Sequence, residues 1–249
     1  MTIEWVGVDA DDTLWHNESY FTDSSALFAE LAIPYLAHAD DPERAAHDLL
    51  IATERRNIPM FGYGIKGATL SMIEAALEVS GLTIAPSDIY RLVERAKTMM
   101  GHPVEFLDGA VEALDALASF RLILITKGDV MDQRRKVELS EISPRFDAVE
   151  ILHEKDADTY LAVLGRHGIS PESFVMIGNS LRSDVLPVLD LGAAAIHVPY
   201  TSTWALETAD EPTGHPRFRL AHHISHTPEL VRTLDTTPKG ADPDDHRTD

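Results

Sequence analysis

Short apolar runs alternate with helical patterns along most of the chain, and this alternation constrains the fold more than any other feature. The runs are rich in β-branched and other apolar residues, which is typical of strands buried on both faces. Strands that are separated by helices favour a parallel sheet in an α/β fold, because each helix returns the chain to the starting end of the sheet. The predicted strands are Glu4 to Asp9, Arg121 to Thr126, Phe146 to Leu152, Phe174 to Ile177 and Ala193 to Val198.

A long helical insertion interrupts this pattern directly after the first strand. Between about Tyr20 and Gly101 the strand pattern is absent, and four helical stretches follow one another. Asp41 followed by Pro42 is typical of a helix start. Ligands of open α/β sheets bind at the carboxyl edge of the strands, where we expect this insertion to form a lid. The predicted division is a core of residues 1–18 and 102–235, a helical cap of residues 19–101 and a disordered tail of residues 236–249.

Composition narrows the possible partners and chemistry. A formal net charge of −20 disfavours nucleic acid as a partner, because the chain repels a phosphate backbone. No apolar run approaches the roughly 20 residues that cross a bilayer, so we expect a cytoplasmic protein without a membrane partner. The chain has 249 residues and no cysteine, which excludes thiolate nucleophiles and cysteine zinc sites.

A cluster of acids follows the first predicted strand, in the sequence Asp9-Ala10-Asp11-Asp12-Thr13-Leu14. Two carboxylates two positions apart can flank one reacting group, so that Asp9 attacks and binds metal while Asp11 moves a proton. The alternative is a turn whose acids cap the following helix, which is common. This motif alone does not separate the two interpretations.

Two further segments suit an anionic group. Thr126, Lys127 and Gly128 end the second predicted strand before a helix, where hydroxyl and backbone N–H donors can bind phosphate. Lys155 follows the third predicted strand, and its ammonium can neutralise a phosphoryl group and the nucleophile together. Taken singly, Thr126 fits a helix cap and Lys155 fits a surface lysine equally well.

An acidic loop follows the fourth predicted strand, in the sequence Ile177-Gly178-Asn179-Ser180-Leu181-Arg182-Ser183-Asp184. The carboxylate of Asp184 can complete an oxygen-ligand site for Mg²⁺, a metal that prefers few protein carboxylates and keeps several waters. By itself Asp184 is also a plausible helix-start acid.

The order and spacing of these four elements resemble the haloacid dehalogenase superfamily over about residues 4–200. The resemblance implies a Rossmann-like core with strand order 5-4-1-2-3 and a helical cap inserted after the first strand. It also implies a Mg²⁺-dependent hydrolase that cleaves a small-molecule phosphomonoester through an aspartyl phosphate.

The same resemblance implies a role for each motif residue. Asp9 is the nucleophile, Asp11 is the general acid/base, which its neighbours keep protonated, and Lys155 stabilises charge. The remaining roles are phosphate binding by Thr126, Lys127 and Gly128, and metal binding by Asp9, Asp184 and the backbone carbonyl of Asp11.

Two departures and three alternatives accompany this interpretation. Asn179 stands where many relatives have aspartate and supplies no charge, which favours a catalytically weak binding protein as one alternative; Asp156 replaces a frequent proline. A dehalogenase would use Asp9 without metal, but such relatives usually lack the second acid, Asp11. A phosphoacceptor receiver domain has a similar acid cluster but no helical insertion.

Four residues are weaker candidates for contact with a substrate's leaving group: Trp15, His16, Tyr63 and Lys66. Tyr63 lies in the segment Phe61-Gly62-Tyr63-Gly64, which can equally act as a hinge between two cap helices. The crowded His222, His223 and His226 lack acidic partners at a defined spacing, so we interpret them as surface residues.

Overall fold

A twisted sheet of six parallel strands forms the centre of the molecule in the computed structural model, which describes residues 2–235. The spatial order is β3-β2-β1-β4-β5-β6, and β1 pairs with both β2 and β4. The strands are Trp5–Val8 (β1), Arg121–Lys127 (β2), Ala148–Leu152 (β3), Phe174–Gly178 (β4), Ala194–His197 (β5) and Phe218–Leu220 (β6).

The predicted order of the first five strands is confirmed, and a sixth strand extends the sheet beyond β5. β6 is only three residues long and pairs in parallel with β5, with Ile196 opposite Arg219. The predicted tail, residues 236–249, lies outside the described residues.

Helices cover both faces of the sheet, so the alternate residues of each strand pack into two separate apolar clusters. On β1, Val6 and Val8 belong to one cluster and Trp5 belongs to the other. The helices that follow the insertion are Ala110–Ala116 (α5), Val130–Ser140 (α6), Ala157–His167 (α7), Leu186–Asp190 (α8) and Thr227–Leu234 (α9).

Four helices between β1 and β2 form the predicted insertion and have an apolar cluster of their own. Phe28, Leu50, Met72 and Leu92 contribute one buried side chain from each helix. The second helix begins as its sequence predicts, because the Asp41 carboxylate accepts the Arg44 N–H at 3.0 Å ahead of Pro42. The four are Glu18–Ala32 (α1), Pro42–Phe61 (α2), Ile65–Val79 (α3) and Pro86–Gly101 (α4).

None of the helices within residues 2–235 is both long enough and apolar enough to span a bilayer.

Candidate active site

Three charged side chains meet at the carboxyl edge of the sheet. Asp9 directly follows β1, Lys155 follows β3, and Asp184 lies in a π-helical turn, Leu181–Val185, after β4. The Lys155 ammonium lies 2.5 Å from Asp9 Oδ1 and 2.6 Å from Asp184 Oδ1. All three side chains are buried, with Lys155 4% exposed. One ammonium therefore holds two carboxylates that arrive from different strands.

The electrostatics of this trio are dominated by burial. Burial raises the pKa of Asp9 to about 7; Lys155 lowers it and Asp184 raises it further. Burial disfavours the ammonium of Lys155, but the carboxylates of Asp184 and Asp9 outweigh this and hold its pKa well above its usual range. Lys155 is therefore charged at neutral pH, and Asp9 is a carboxyl whose negative charge needs an additional cation.

Thr13 orients the second oxygen of Asp9. Its hydroxyl donates to Asp9 Oδ2 at 2.9 Å and accepts the backbone N–H of Asn179 at 3.1 Å. Thr13 is fully buried, so this chain of hydrogen bonds is shielded from solvent. The threonine of the first motif thus links the loop after β1 to the loop after β4.

A glycine makes room for Asp184. A Cβ atom at Gly178 would overlap the carboxyl group of Asp184, so the last residue of β4 has to be glycine for this carboxylate to reach its position. The backbone N–H of Ser180 donates to Asp184 Oδ2 at 2.9 Å, which fixes the other oxygen. The π-helical turn is an irregularity of the kind that is frequent at functional sites.

Asp11 is held by three donors, two of which the sequence patterns did not indicate. Lys136 Nζ lies 2.7 Å from both carboxylate oxygens, Gln133 Nε2 donates at 2.8 Å and Trp15 Nε1 donates at 2.6 Å. All three contacts donate to the carboxylate rather than accept a proton from it. These contacts fix the position of the Asp11 carboxyl group, and the expected protonation of Asp11 stays a prediction.

In the second motif, the hydroxyl of Thr126 has no hydrogen-bond partner within residues 2–235, whereas the polar groups of Lys127 and Gly128 already have partners. Thr126 is fully buried in the cavity wall, and its hydroxyl has no hydrogen-bond partner among the described residues. Lys127 lies in the same wall, but its ammonium contacts Glu207 at 2.6 Å and Ser183 at 2.9 Å. The Gly128 N–H donates to the backbone of β3, so only Thr126 has a donor ready for a phosphoryl oxygen.

Most of the motif residues line a single cavity, and the helical insertion forms part of the wall of this cavity. Of the four weaker candidates, Tyr63 lines it and lies edge-on to Trp204. Trp15 is fully buried beneath the first motif, where it contacts Asp11 instead of the cavity. His16 is hydrogen-bonded to Tyr200 at 2.6 Å, and Lys66 pairs with Asp129 at 2.9 Å; neither lines the cavity.

Residues from outside the motifs complete the cavity wall. Glu18 begins α1, Glu54 lies in α2, and Trp204 and Glu207 lie in the segment between β5 and β6. The Trp204 indole N–H donates to Glu54 at 3.1 Å, which connects the insertion to the sheet side of the cavity. The sequence did not indicate these four residues, because polar and aromatic side chains are common at helical and loop positions.

The donor set fits Mg²⁺ by its chemistry. Asp9 and Asp184 supply two carboxylates at one position, and Mg²⁺ is usually held by one or two carboxylates together with waters. Within residues 2–235 no three His, Cys, Asp or Glu side chains converge as a metal site, and Mg²⁺ does not need three. Lys155 and a bound cation would share the same two carboxylates.

Comparison with known proteins agrees with these motifs. A family model described as haloacid dehalogenase-like hydrolase matches residues 3–191. N-acylneuraminate-9-phosphatase from Rattus norvegicus is 26% identical over 120 residues, which cover 46% of this chain and 47% of that protein. Its counterpart from Mus musculus is 32% identical over 95 residues, covering 33% and 38% respectively. The chain thus matches less than half the length of these curated relatives.

Solved structures extend the similarity to most of the chain. A haloacid dehalogenase-like family hydrolase from Xanthomonas campestris has 42% identity and a TM-score of 0.81, covering 94% of this chain and 92% of that one. L-2-haloacid dehalogenase from Xanthobacter autotrophicus has 16% identity and a TM-score of 0.59, covering 93% and 99%, and shares the fold alone. Because the family match spans most of the sequence and includes every motif residue, the chain belongs to the haloacid dehalogenase-like hydrolases.

Proposed function

We propose that this hydrolase is a Mg²⁺-dependent phosphatase that cleaves a small-molecule phosphomonoester through an aspartyl phosphate on Asp9. The observation that carries the proposal is the shared cavity of Asp9, Asp11 and the unpartnered hydroxyl of Thr126, with Lys155 bound to the nucleophile. The two N-acylneuraminate-9-phosphatases to which the chain is similar support it. Asp11, the second acid, favours phosphate chemistry over dehalogenation.

In the first step a carboxylate oxygen of Asp9 attacks phosphorus while the bond from phosphorus to the ester oxygen breaks. Asp11 gives its proton to the departing oxygen, so the alcohol leaves neutral. Before this step Asp11 has to take up a proton and loosen its contact with Lys136. Thr126 donates to a phosphoryl oxygen, and Lys155 stabilises the charge that builds up beside Asp9.

In the second step water attacks the phosphorus of the aspartyl phosphate. Asp11, now a carboxylate, accepts the proton of this water, and Asp9 leaves as a free carboxylate. Lys136 and Gln133 donate to the Asp11 carboxyl group and hold it in place for this step. When bound, Mg²⁺ supplies positive charge that offsets the repulsion between the Asp9 carboxylate and the phosphate.

We also propose that residues 19–101, which contain helices α2–α4 and all of α1 except its first residue, act as a cap over a core of residues 1–18 and 102–235. The separate apolar cluster of these helices supports this division. Two glycines between α2 and α3 have positive φ, Gly62 at 72° and Gly64 at 97°, a conformation that non-glycine side chains rarely adopt. The same segment places Tyr63 against the core, where its hydroxyl donates to Glu154 at 2.6 Å.

The proposed reaction is tested by phosphate release from sugar phosphates, nucleotides, phosphoglycolate and an aryl phosphate, with Mg²⁺ or with a chelator. We expect turnover with Mg²⁺ and a loss of at least about 1,000-fold in Asp9→Asn, because no other carboxylate replaces the nucleophile. Asp40→Asn is the matched control, since Asp40 is exposed. If Asp9→Asn keeps wild-type turnover, or if no ester is hydrolysed, the proposal is wrong.

A further inference from the structure

Two carboxyl groups that the helical insertion contributes to the cavity wall, those of Glu18 and Glu54, form no ion pair within residues 2–235. The Glu18 side chain has no hydrogen bond or ion pair with any residue in the range 2–235, and Glu54 accepts one hydrogen bond, from the Trp204 indole. Burial is the main cause that raises the pKa of Glu18 to about 8, with repulsion from Asp12 next; burial also raises the pKa of Glu54 to about 7. Both carboxyl groups have lost part of their water; His47 and the Trp204 hydrogen bond lower the pKa of Glu54, but burial raises it by more.

The lysines of the cavity wall cannot supply that charge, because each already contacts a carboxylate. Lys155 contacts Asp9 at 2.5 Å, Lys136 contacts Asp11 at 2.7 Å and Lys127 contacts Glu207 at 2.6 Å. No lysine of the cavity wall is therefore free to compensate a negative charge on Glu18 or Glu54.

An unpartnered buried acceptor in the same wall is an independent observation. Gln133 is 3% exposed and lines the cavity, and its Oε1 has no hydrogen-bond partner within the described part of the chain. Its amide orientation is fixed, because Nε2 donates to both Asp11 and the Lys127 carbonyl. The wall therefore has a spare buried acceptor, which a ligand with an N–H donor would satisfy.

We propose that the leaving group of the substrate carries an ammonium group, which Glu18 and Glu54 bind. This assignment rests on the proposed function, since it places the phosphoryl group at Asp9 and the remainder of the ester against the part of the cavity wall that the helical insertion forms. An ammonium compensates the two acids and can donate a hydrogen bond to the spare Gln133 Oε1. A carboxylate in the same place would add a like charge, so the protein selects against acidic esters.

Matched esters that differ in one group test this selection. Aminoalkyl, hydroxyalkyl and carboxyalkyl phosphates with chains of two to four carbons are compared, together with glucosamine 6-phosphate and glucose 6-phosphate. In at least one matched set we expect kcat/KM for the amino ester to exceed that for the hydroxyl ester by about 10- to 100-fold, with the carboxylate ester lowest. An aryl phosphate, whose leaving group carries no ammonium or carboxylate, serves as the reference substrate in every assay.

Glutamine variants test whether Glu18 and Glu54 are the residues that cause the preference for amino esters. Glu18→Gln and Glu54→Gln should each reduce the preference for amino over hydroxyl ester, taken as the ratio of their kcat/KM values in the same variant, at least about fivefold. Glu43→Gln, at an exposed position in α2, is the matched control and should keep the full preference. Thermal unfolding of each variant separates a loss of preference from a loss of folded protein.

The outcomes distinguish this inference from the proposed function. If the aryl phosphate is hydrolysed but no amino ester is preferred over its hydroxyl match, the ammonium assignment is overturned while the phosphatase proposal stands. A preference that both glutamine variants retain in folded protein also overturns the assignment. If no ester is hydrolysed, the phosphatase proposal fails and the assignment fails with it.

Discussion

The ammonium group of Lys136 lies 2.7 Å from each carboxylate oxygen of Asp11, although the two residues come from α6 and from the loop after β1. Lys136 is 9% exposed, so this contact forms largely out of solvent. A symmetric contact with both oxygens restricts rotation of the carboxylate. Lys136 thus positions a group that, in the proposed reaction, has to face the ester oxygen.

Replacing Lys136 should therefore slow the reaction through Asp11. We expect Lys136→Met to lower kcat by about 10- to 100-fold with a change in KM of less than about threefold, because orientation of the acid/base is lost rather than binding. In an Asp11→Asn background the same replacement should have almost no further effect. Lys97→Met, at an exposed site, is the control. Additive losses in the double variant would contradict the positioning role.

Lys155 should be the largest single contributor to stability in the site. Lys155→Met leaves the buried carboxylates of Asp9 and Asp184 facing each other, and breaking a buried ion pair in this way costs about 3–5 kcal/mol. Urea unfolding at pH 8 in chelator measures the loss. We expect Mg²⁺ to restore part of it, since a cation that binds only the folded state stabilises that state. An equal loss with and without Mg²⁺ would show that these carboxylates do not bind the metal.

Glu54 should make the stability of the protein depend on pH. Its pKa is about 7 in the folded protein against 4.5 ordinarily, so the folded state holds a proton that the unfolded state has already lost between these values. The free energy of unfolding therefore falls as pH rises through this window, and the penalty is complete above pH 7. Glu54→Gln should be more stable than wild type by about 1–3 kcal/mol at pH 8.5, and the difference should vanish near pH 4.5.

Thermal or urea unfolding at several pH values checks this dependence. Glu43→Gln carries the same change in charge at an exposed position of α2 and should show no such trend. A constant difference between Glu54→Gln and wild type across the range would mean that burial of Glu54 does not penalise its charge.

The amide at position 179 should set the affinity for Mg²⁺. Asn179 lines the cavity beside the first motif, and its side chain supplies no negative charge. We expect Asn179→Asp to lower the Mg²⁺ concentration for half-maximal activity by about 3- to 30-fold, because hard cations bind charged oxygen ligands more tightly. Magnesium titrations of activity give this value directly. An unchanged value would place residue 179 outside the influence of the metal.

The fold was largely predictable because its strands are local patterns. The strands β1 and β4 and the middle of β2 are continuous apolar runs, which is the pattern that burial on both faces produces, whereas β3 is apolar except for Glu150. β6 was missed because Phe218–Leu220 has three residues with Arg219 at its centre, and it is defined by pairing with β5 rather than by its own sequence. A pairing partner distant in the chain leaves no such local pattern.

The candidate site was predictable only where residues follow strands. Asp9, Thr126 and Asp184 could be placed together because the carboxyl ends of parallel strands share one edge. Gln133 and Lys136 lie within α6, where polar residues normally face solvent, and nothing local shows that they turn inward toward Asp11. Trp15 was predicted as a substrate contact from its neighbourhood in sequence, but burial directs its indole to Asp11 instead.

The position of β1 between β2 and β4 governs when the site can form in a growing chain. Val8 pairs with Leu124 on one side and with Ile177 on the other, so both neighbours are synthesised long after β1 itself. The helices between β1 and β2 have their own apolar cluster and can pack together before the strands that pair with β1 have been synthesised. Asp9 thus leaves the ribosome well before Asp184, and its environment is complete only when Asp184 has emerged. A nascent chain that stops before that point carries the proposed nucleophile without the lysine and carboxylate contacts that surround it in the folded protein.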